Sequence, residues 1–378
     1  MYSTNSKEGI IRFHLDEEEA EMVLEKHYGL KGGELKKLIG FDDLNFKYMP
    51  KENVNPFLNN LCQEGYIMKV TNYLDSKNNG FTEAQNNLML FLKSKNISAP
   101  VPVKTLSGEY FVKVKIPTKL TGSLQAQREH NVRLLEFIPG TTMKDVPLTY
   151  SVLFNLGTFI ANFDEALKGF SHSAYETHSS IWHLRSMPNI IQHLEVVQNS
   201  EQRHLVRAIV DAFIKDVLAV EDNLNKGLIH GDFNENNVLM SKCESGNWEV
   251  SAILDFGDSH LSCYLFEVAI SLCYITLECK KNGLEPITGA GHLLAGYLKV
   301  SPNFQMDYKL LKVIATCARF CQSLVLGLKA HCLNPENTYV LGTQALGWSL
   351  VNILWETPIQ EFTKELTSVI SSYGLKIE

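Results

Sequence analysis

The segment His230-Gly231-Asp232-Phe233-Asn234-Glu235-Asn236-Asn237-Val238-Leu239-Met240 is followed, fifteen positions after its last residue, by Asp255-Phe256-Gly257-Asp258, which closes the run Ser251-Ala252-Ile253-Leu254. No other feature limits the fold of this chain as tightly. Asp232 belongs on a loop tip, Asn237 begins a strand that runs to Met240, and Asp255 ends a second apolar strand. Facing strands then bring a carboxamide close to a carboxylate. Two hard oxygen ligands leave most positions on a Mg²⁺ ion to phosphate and water, while the carboxylate on the loop orients a hydroxyl nucleophile. Either motif alone is an ordinary turn; joined at this spacing, with an apolar strand before each, they imply phosphoryl transfer.

At 378 residues the chain exceeds an average domain, and two lobes are the natural organisation. A hydrophobic share of 45% and a charged share of 20% exclude a largely disordered chain. The net charge of −7 with a pI near 6.0 argues against a nucleic-acid polymer or a membrane surface as partner and suits a cationic small substrate. The N-terminus is polar and no stretch approaches the ~20 apolar residues of a membrane span, so a cytoplasmic location is expected. The eight cysteines, at 62, 243, 263, 273, 279, 317, 321 and 332, show no Cys-x-x-Cys and no zinc spacing with histidine. Cys317 and Cys321 share a helical face but are poorly placed for a disulfide, which leaves reduced core thiols as the reading.

Along the chain, Asp16 with Glu19 forms a capping box that opens a helix, and Gly29 ends it. Residues 35–39 and 46–49 read as strands joined by Gly40-Phe41-Asp42-Asp43-Leu44-Asn45. In Gly65-Tyr66-Ile67-Met68-Lys69-Val70 the alternation sets Ile67 and Lys69 on one face and Tyr66, Met68 and Val70 on the other. Thr82 and Gln85 make a second capping-box signature, with Glu83 in the first turn of that helix. Strands are expected at 110–114 and 131–138. From Tyr150 the period becomes 3.6, with Tyr150, Leu153, Leu156, Phe159, Ile160, Phe163 and Leu167 on one stripe. Helical patterns return near 200–225, 262–279, 307–330 and 337–371, the last divided by Pro358. Gly289-Ala290-Gly291 reads as a turn between helices.

A β-rich lobe with a lysine on its third strand and a glutamate on the next helix, followed by a helical lobe with the two loops above, resembles the protein-kinase-like fold, and more closely its aminoglycoside phosphotransferase and choline kinase branch. Within that branch, residues 40–46 (Gly-Phe-Asp-Asp-Leu-Asn-Phe), 83–87 (Glu-Ala-Gln-Asn-Asn), 253–258 (Ile-Leu-Asp-Phe-Gly-Asp), 266–270 (Phe-Glu-Val-Ala-Ile) and 319–324 (Arg-Phe-Cys-Gln-Ser-Leu) resemble the hydroxylysine kinase family, and the likeness covers nearly the whole chain. The resemblance implies an α+β, bilobal fold: a nucleotide-binding lobe at 1–138, with a small antiparallel sheet and the hinge, and a mostly helical catalytic and substrate-binding lobe at 139–378. It further implies transfer of the γ-phosphoryl of GTP, or of ATP, to the hydroxyl of 5-hydroxy-L-lysine in amino-acid catabolism. One departure concerns the phosphate loop, where Gly40 is followed by Phe41 and then two aspartates in place of a glycine-rich sequence. Backbone N–H groups from Asp42 to Phe46 remain available for the contact.

The resemblance carries roles to individual residues. Asp232 is the catalytic carboxylate that receives or orients the acceptor proton, and Asn237 and Asp255 are the Mg²⁺ ligands. Lys69 reaches the nucleotide phosphates, held by an ion pair with Glu83, and the linker from Leu135 through Glu136 and Phe137 to Ile138 offers backbone groups to the base. His230 and Glu267 brace the loop. Asp258 binds metal indirectly or meets the substrate's ammonium, and Arg319 is a candidate for its carboxylate. A choline, ethanolamine, homoserine or aminoglycoside kinase would use the same catalytic residues, and a nucleotide-binding pseudoenzyme is the alternative outside catalysis. The short interval from Asp255 to Glu267 disfavours a protein substrate.

Overall fold

The computed structural model describes residues 11–38, 40, 43–120 and 126–375; the polar N-terminal residues 1–10, and Ile39, Phe41 and Asp42 of the expected strand and loop, lie outside them. The chain divides into two compact units, Met1–Pro139 and Gly140–Glu378.

The first unit runs β1 (Ile11–Phe13), α1 (Glu17–Tyr28), β2 (Leu30–Lys31), β3 (Glu34–Leu38), β4 (Leu44–Met49), β5 (Glu52–Asn53), β6 (Tyr66–Val70), α2 (Asn79–Ser94), β7 (Pro102–Val103), β8 (Val112–Leu120) and β9 (Ala126–Glu136). Its main sheet has the order β1-β8-β9-β6-β4-β3, with β7 paired to β9, all antiparallel. The Asp16 capping box forms with both of its hydrogen bonds, and Gly29 ends α1 in the left-handed region. Ala20, Leu24 and Tyr28 of α1 then bury against Phe46, Tyr48, Tyr66, Met68, Val132 and Leu134 of one sheet face. Register leaves Asn45, Lys69 and Arg133 abreast on the opposite face.

α2 packs on that second face. It starts earlier than Thr82: the cap is Asn78, whose side chain accepts the Phe81 N–H, because an amide oxygen three residues ahead of that N–H closes the same ring a threonine would. Thr82, Gln85 and Asn86 are instead buried and bond to β9. Asn131 Nδ2 donates to Thr82 Oγ1 at 2.9 Å, and Arg133 donates to Gln85 Oε1 and, at 3.5 Å, to Asn86 Oδ1.

The second unit contains β10 (Thr141–Thr142), α3 (Tyr150–Leu167), α4 (Ala174–Thr177), α5 (Ser200–Ala212), β11 (Lys226–Ile229), β12 (Val238–Lys242), β13 (Trp248–Ile253), β14 (His260–Cys263), α6 (Tyr264–Lys281), α7 (Pro286–Val300), α8 (Tyr308–Leu311), α9 (Arg319–Leu333), α10 (Gln344–Glu356) and α11 (Ile359–Ser372). Pro358 separates the last two as their pattern demands. α6 is buried from Leu265 to Cys279 and forms the centre of the unit. The Gly289-Ala290-Gly291 stretch is no turn but lies inside α7. A Cβ on Gly289 would stand 2.3 Å from Cys279 Sγ, and one on Gly291 2.8 Å from Val369 Cβ. Close helix packing, which offsets the ~1 kcal/mol cost of a helical glycine, therefore selects these residues. Among the described residues no helix is long and apolar enough to cross a membrane.

Two short ladders carry the loops. β11 pairs with β14, and β12 pairs with β13 and β10.

Candidate active site

The loop after β11 is fixed by its backbone. The N–H groups of His230 and Gly231 donate to the carboxylate of Glu267, the latter at 3.2 and 3.3 Å. Glu267 is fully buried; burial and the neighbouring Asp164 carboxyl push its pKa well up, while the two N–H donors pull it down. Gly231 has φ +79, and a Cβ there would meet the Asp258 carbonyl at 2.4 Å, so only glycine fits. The buried His230 ring donates from Nε2 to the Leu254 carbonyl (2.9 Å) and accepts the Asp232 N–H at Nδ1 (3.2 Å). Burial lowers its pKa, and the neutral tautomer is the one these two bonds require.

Asp232 is thereby aimed and then held at both oxygens. Oδ2 accepts from Asn234 Nδ2 at 2.7 Å and Asn237 Nδ2 at 2.9 Å, and Oδ1 accepts from Arg319 Nη2 at 2.9 Å. The side chain keeps 21% exposure, enough for an acceptor hydroxyl to approach. Asn237 sits one residue ahead of β12, and its carbonyl accepts the Leu254 N–H at 2.8 Å. That bond sets Asn237 against the residue before Asp255. Because Nδ2 of Asn237 is spent on Asp232 (2.9 Å) and on the Asp232 carbonyl (3.0 Å), its Oδ1 is the atom left for a cation.

Asp255 adopts φ +59, an unusual conformation for a residue with a side chain, and is exposed; its Oδ1 accepts the Gly257 N–H at 3.2 Å. A carboxylate and a carboxamide oxygen on adjoining strand ends match the hard donors that Mg²⁺ takes. Among the described residues no three His, Cys, Asp or Glu side chains gather as a metal cluster. An ion that draws most of its ligands from phosphate and water needs fewer.

Arg319, a candidate for the substrate carboxylate, bonds Asp232 directly. It follows a π-helical turn, Lys312–Ala318, and opens α9 with 1% side-chain exposure. Besides Asp232, it donates from Nη1 to the Trp182 carbonyl (2.7 Å) and to Gln322 Oε1 (3.0 Å), with its guanidinium over the rings of Trp182 and Tyr274. Burial opposes its charge, but Tyr274, Asp232 and Asp258 outweigh that and raise its pKa. Both terminal nitrogens are engaged inside the protein, while the buried Nε has no hydrogen-bond partner among the described residues.

Asp258 accepts from Ser180 Oγ at 3.4 Å, and its carbonyl contacts His260 Nδ1 at 2.7 Å. His260 stacks on His183 with centroids 3.6 Å apart; burial lowers both pKa values, that of His260 to about 4. Trp182 and His183 join the site without any motif to announce them, and Gln322 stands in the Arg-Phe-Cys-Gln-Ser-Leu segment with no role assigned by pattern. Trp182 and His183 fall in the turn between α4 and the 3₁₀ segment Leu184–Val196, outside any helix or strand whose period could mark them.

In the first unit, Lys69 Nζ pairs with Asp43 Oδ2 at 3.3 Å. The expected ion pair with Glu83 is not formed: Glu83 is exposed, because the buried face of α2 belongs to Thr82, Gln85 and Asn86. Glu136 ends β9, with its N–H donating to the Val101 carbonyl at 2.8 Å, and the next N–H, of Phe137, donates to the Gly65 carbonyl at 3.0 Å. Ile138 is half-buried beyond the strand end.

Comparison with known proteins gives consistent results. A profile described as the phosphotransferase enzyme family matches residues 72–300. The hydroxylysine kinase of Xenopus laevis is 31% identical over 369 residues, 95% of each chain. That of Bos taurus is 30% identical over 341 residues, 88% of this chain and 87% of the other. Among solved structures, the amicoumacin kinase hAmiN, in complex with AMP-PNP, Ca²⁺ and Ami, superposes with TM-score 0.62 at 15% identity, covering 91% of this chain and 95% of that one. A microcompartment-associated aminopropanol kinase superposes with TM-score 0.60 at 16% identity, covering 96% and 99%. The fold is thus the expected α+β, kinase-like one, with small antiparallel sheets and a larger helical part.

Proposed function

This chain belongs to the phosphotransferase enzyme family and is an enzyme that transfers phosphate to an alcohol; on that premise we propose that it moves the γ-phosphoryl of GTP to the side-chain hydroxyl of free 5-hydroxy-L-lysine. The likeness to hydroxylysine kinases over 88–95% of the chain carries the choice of acceptor. In this reading the products are phosphohydroxylysine and GDP, and the reaction is a step of hydroxylysine breakdown. Eight free cysteines suit a reducing cytoplasmic compartment.

The acceptor oxygen forms the new bond to the γ-phosphorus while the bond to the β-phosphate oxygen breaks, and the hydroxyl proton departs by way of Asp232. In phosphoryl transfer, positioning contributes more than basicity. The bonds from Asn234, Asn237 and Arg319 that fix the Asp232 carboxylate are the observation that supports this role best. Asn237 and Asp255 would hold Mg²⁺, which when bound neutralises charge on the phosphate oxygens. Lys69 binds the α and β phosphates, and backbone groups of Glu136 and Ile138 receive the base. Asp258 meets a substrate ammonium, whereas Arg319 serves Asp232 and leaves the substrate carboxylate to another group.

The test is a coupled nucleotide-turnover assay with GTP and ATP, each offered hydroxylysine, lysine, choline, homoserine and an aminoglycoside. Turnover with hydroxylysine and none with lysine, which lacks the hydroxyl, is the expected result. Turnover with another acceptor and none with hydroxylysine would refute the substrate while keeping the reaction class. Faster turnover with ATP would replace the donor.

A further inference from the structure

We propose that Asp43, in the loop between β3 and β4, is the carboxylate that positions Lys69 for the phosphoryl donor, in place of Glu83. The inference rests on the reading of Lys69 as a phosphate-binding residue and adds the group that aims it.

The ion pair is built rather than casual. Lys69 Nζ lies 3.3 Å from Asp43 Oδ2, and the side chains are only 11% and 19% exposed, so water screens them less than it does a surface pair. The other carboxylate oxygen, Oδ1, accepts the Asn72 N–H at 2.9 Å and Asn72 Nδ2 at 3.2 Å. Asn72 is itself locked, with Nδ2 also donating to Asp75 Oδ2 at 2.7 Å and Oδ1 accepting the N–H groups of Leu74 and Asp75 at 3.1 Å each. Asn72 follows β6 by two residues, so the strand that carries Lys69 also anchors the carboxylate facing it. The lysine is held against a prearranged acceptor.

Glu83 has no comparable path. Successive residues of a helix are ~100° apart around its axis, and Thr82, Gln85 and Asn86 occupy the side of α2 turned to the sheet, bonded to Asn131 and Arg133. Arg133 lies opposite Lys69 in the β6–β9 register and takes the polar groups of the helix. Rotating α2 to bring Glu83 inward would unmake those buried bonds. An ammonium has three N–H donors, and a carboxylate that fixes one of them from the loop side sets the direction of the rest.

The test is steady-state kinetics with varied nucleotide for Asp43→Asn, Asp43→Glu, Glu83→Gln, Lys69→Met and the double variant Lys69→Met/Asp43→Asn. Asp43→Asn should raise the nucleotide KM roughly tenfold with little change in the acceptor KM. Asp43→Glu should recover most of the loss, and Glu83→Gln should cost at least about threefold less than Asp43→Asn. The Asp43 effect should vanish in the Lys69→Met background, since coupled residues do not add. A nucleotide KM unchanged or lowered by Asp43→Asn, a larger effect at Glu83, or additivity in the double variant would overturn the proposal. An unaltered nucleotide KM in Lys69→Met alone would instead overturn the phosphate-binding reading of Lys69, and the proposal with it.

Discussion

Arg319 reaches Asp232 across 87 positions of sequence, with Nη2 2.9 Å from Oδ1. The helix that opens with Arg319 therefore ends its most buried cation on the carboxylate proposed to receive the acceptor hydroxyl. Uncovering a buried charge by removing its partner costs about 3–5 kcal/mol, and Arg319, at 1% exposure, is the buried member of this pair.

Replacing Arg319 by Lys keeps the charge but loses the planar fork that serves Asp232, Trp182 and Gln322 together. The expected outcome is a kcat roughly 10–100-fold lower with a nucleotide KM within about threefold of the parent. Steady-state kinetics beside a thermal melt read both. A raised acceptor KM at unchanged kcat would return Arg319 to a substrate-binding role.

Asp232→Asn keeps the size of the side chain while removing the proton acceptor and the charge opposite Arg319. Its NH2 group then faces either Arg319 or the amide donors of Asn234 and Asn237, so a thermal melt is read beside the kinetics. The turnover should fall roughly 10²–10⁴-fold, and nucleotide affinity measured by calorimetry should change by less than about threefold. Substantial turnover in this variant would dismiss Asp232 as the catalytic group.

Glu235, in the same loop, has Oε2 buried without a hydrogen-bond partner. Burial, with the negative Glu278 next, raises its pKa to about 7 from an ordinary 4.5. Between those two values the folded chain holds a proton that the unfolded chain has released, so this group's contribution to stability is complete below pH 4.5 and is lost as pH rises through 7. Glu235→Gln removes that loss. The melting temperature of the variant minus that of the parent should therefore increase by roughly 5 °C from pH 5 to pH 8; a difference that is flat or falls with pH would show that Glu235 does not titrate in this range.

The sequence by itself determined the elements whose signals are local. The Asp16 capping box, the alternation in Tyr66–Val70, the helix Tyr150–Leu167, the break at Pro358 and the two loops around Asp232 and Asp255 are all written in neighbouring residues, where period, cap and turn chemistry act over a few bonds. Even the adjacency of Asn237 and Asp255 follows, because a short hairpin joins their strands.

Only the tertiary structure decided which distant group each functional side chain meets. Pattern set Glu83 in the first turn after a lysine strand, but the depth at which α2 docks gave its inner face to Gln85 and Asn86 and left Asp43 to Lys69. Pattern likewise made Arg319 an arginine in an apolar helix, and made Gly289 and Gly291 a turn. Arg319 found Asp232 because α9 brings it there, and the two glycines are helical because Cys279 and Val369 press against them. Hydrogen bonds and close contacts act over a few ångströms of space whatever the distance along the chain, so these pairings exist only once the helices have packed.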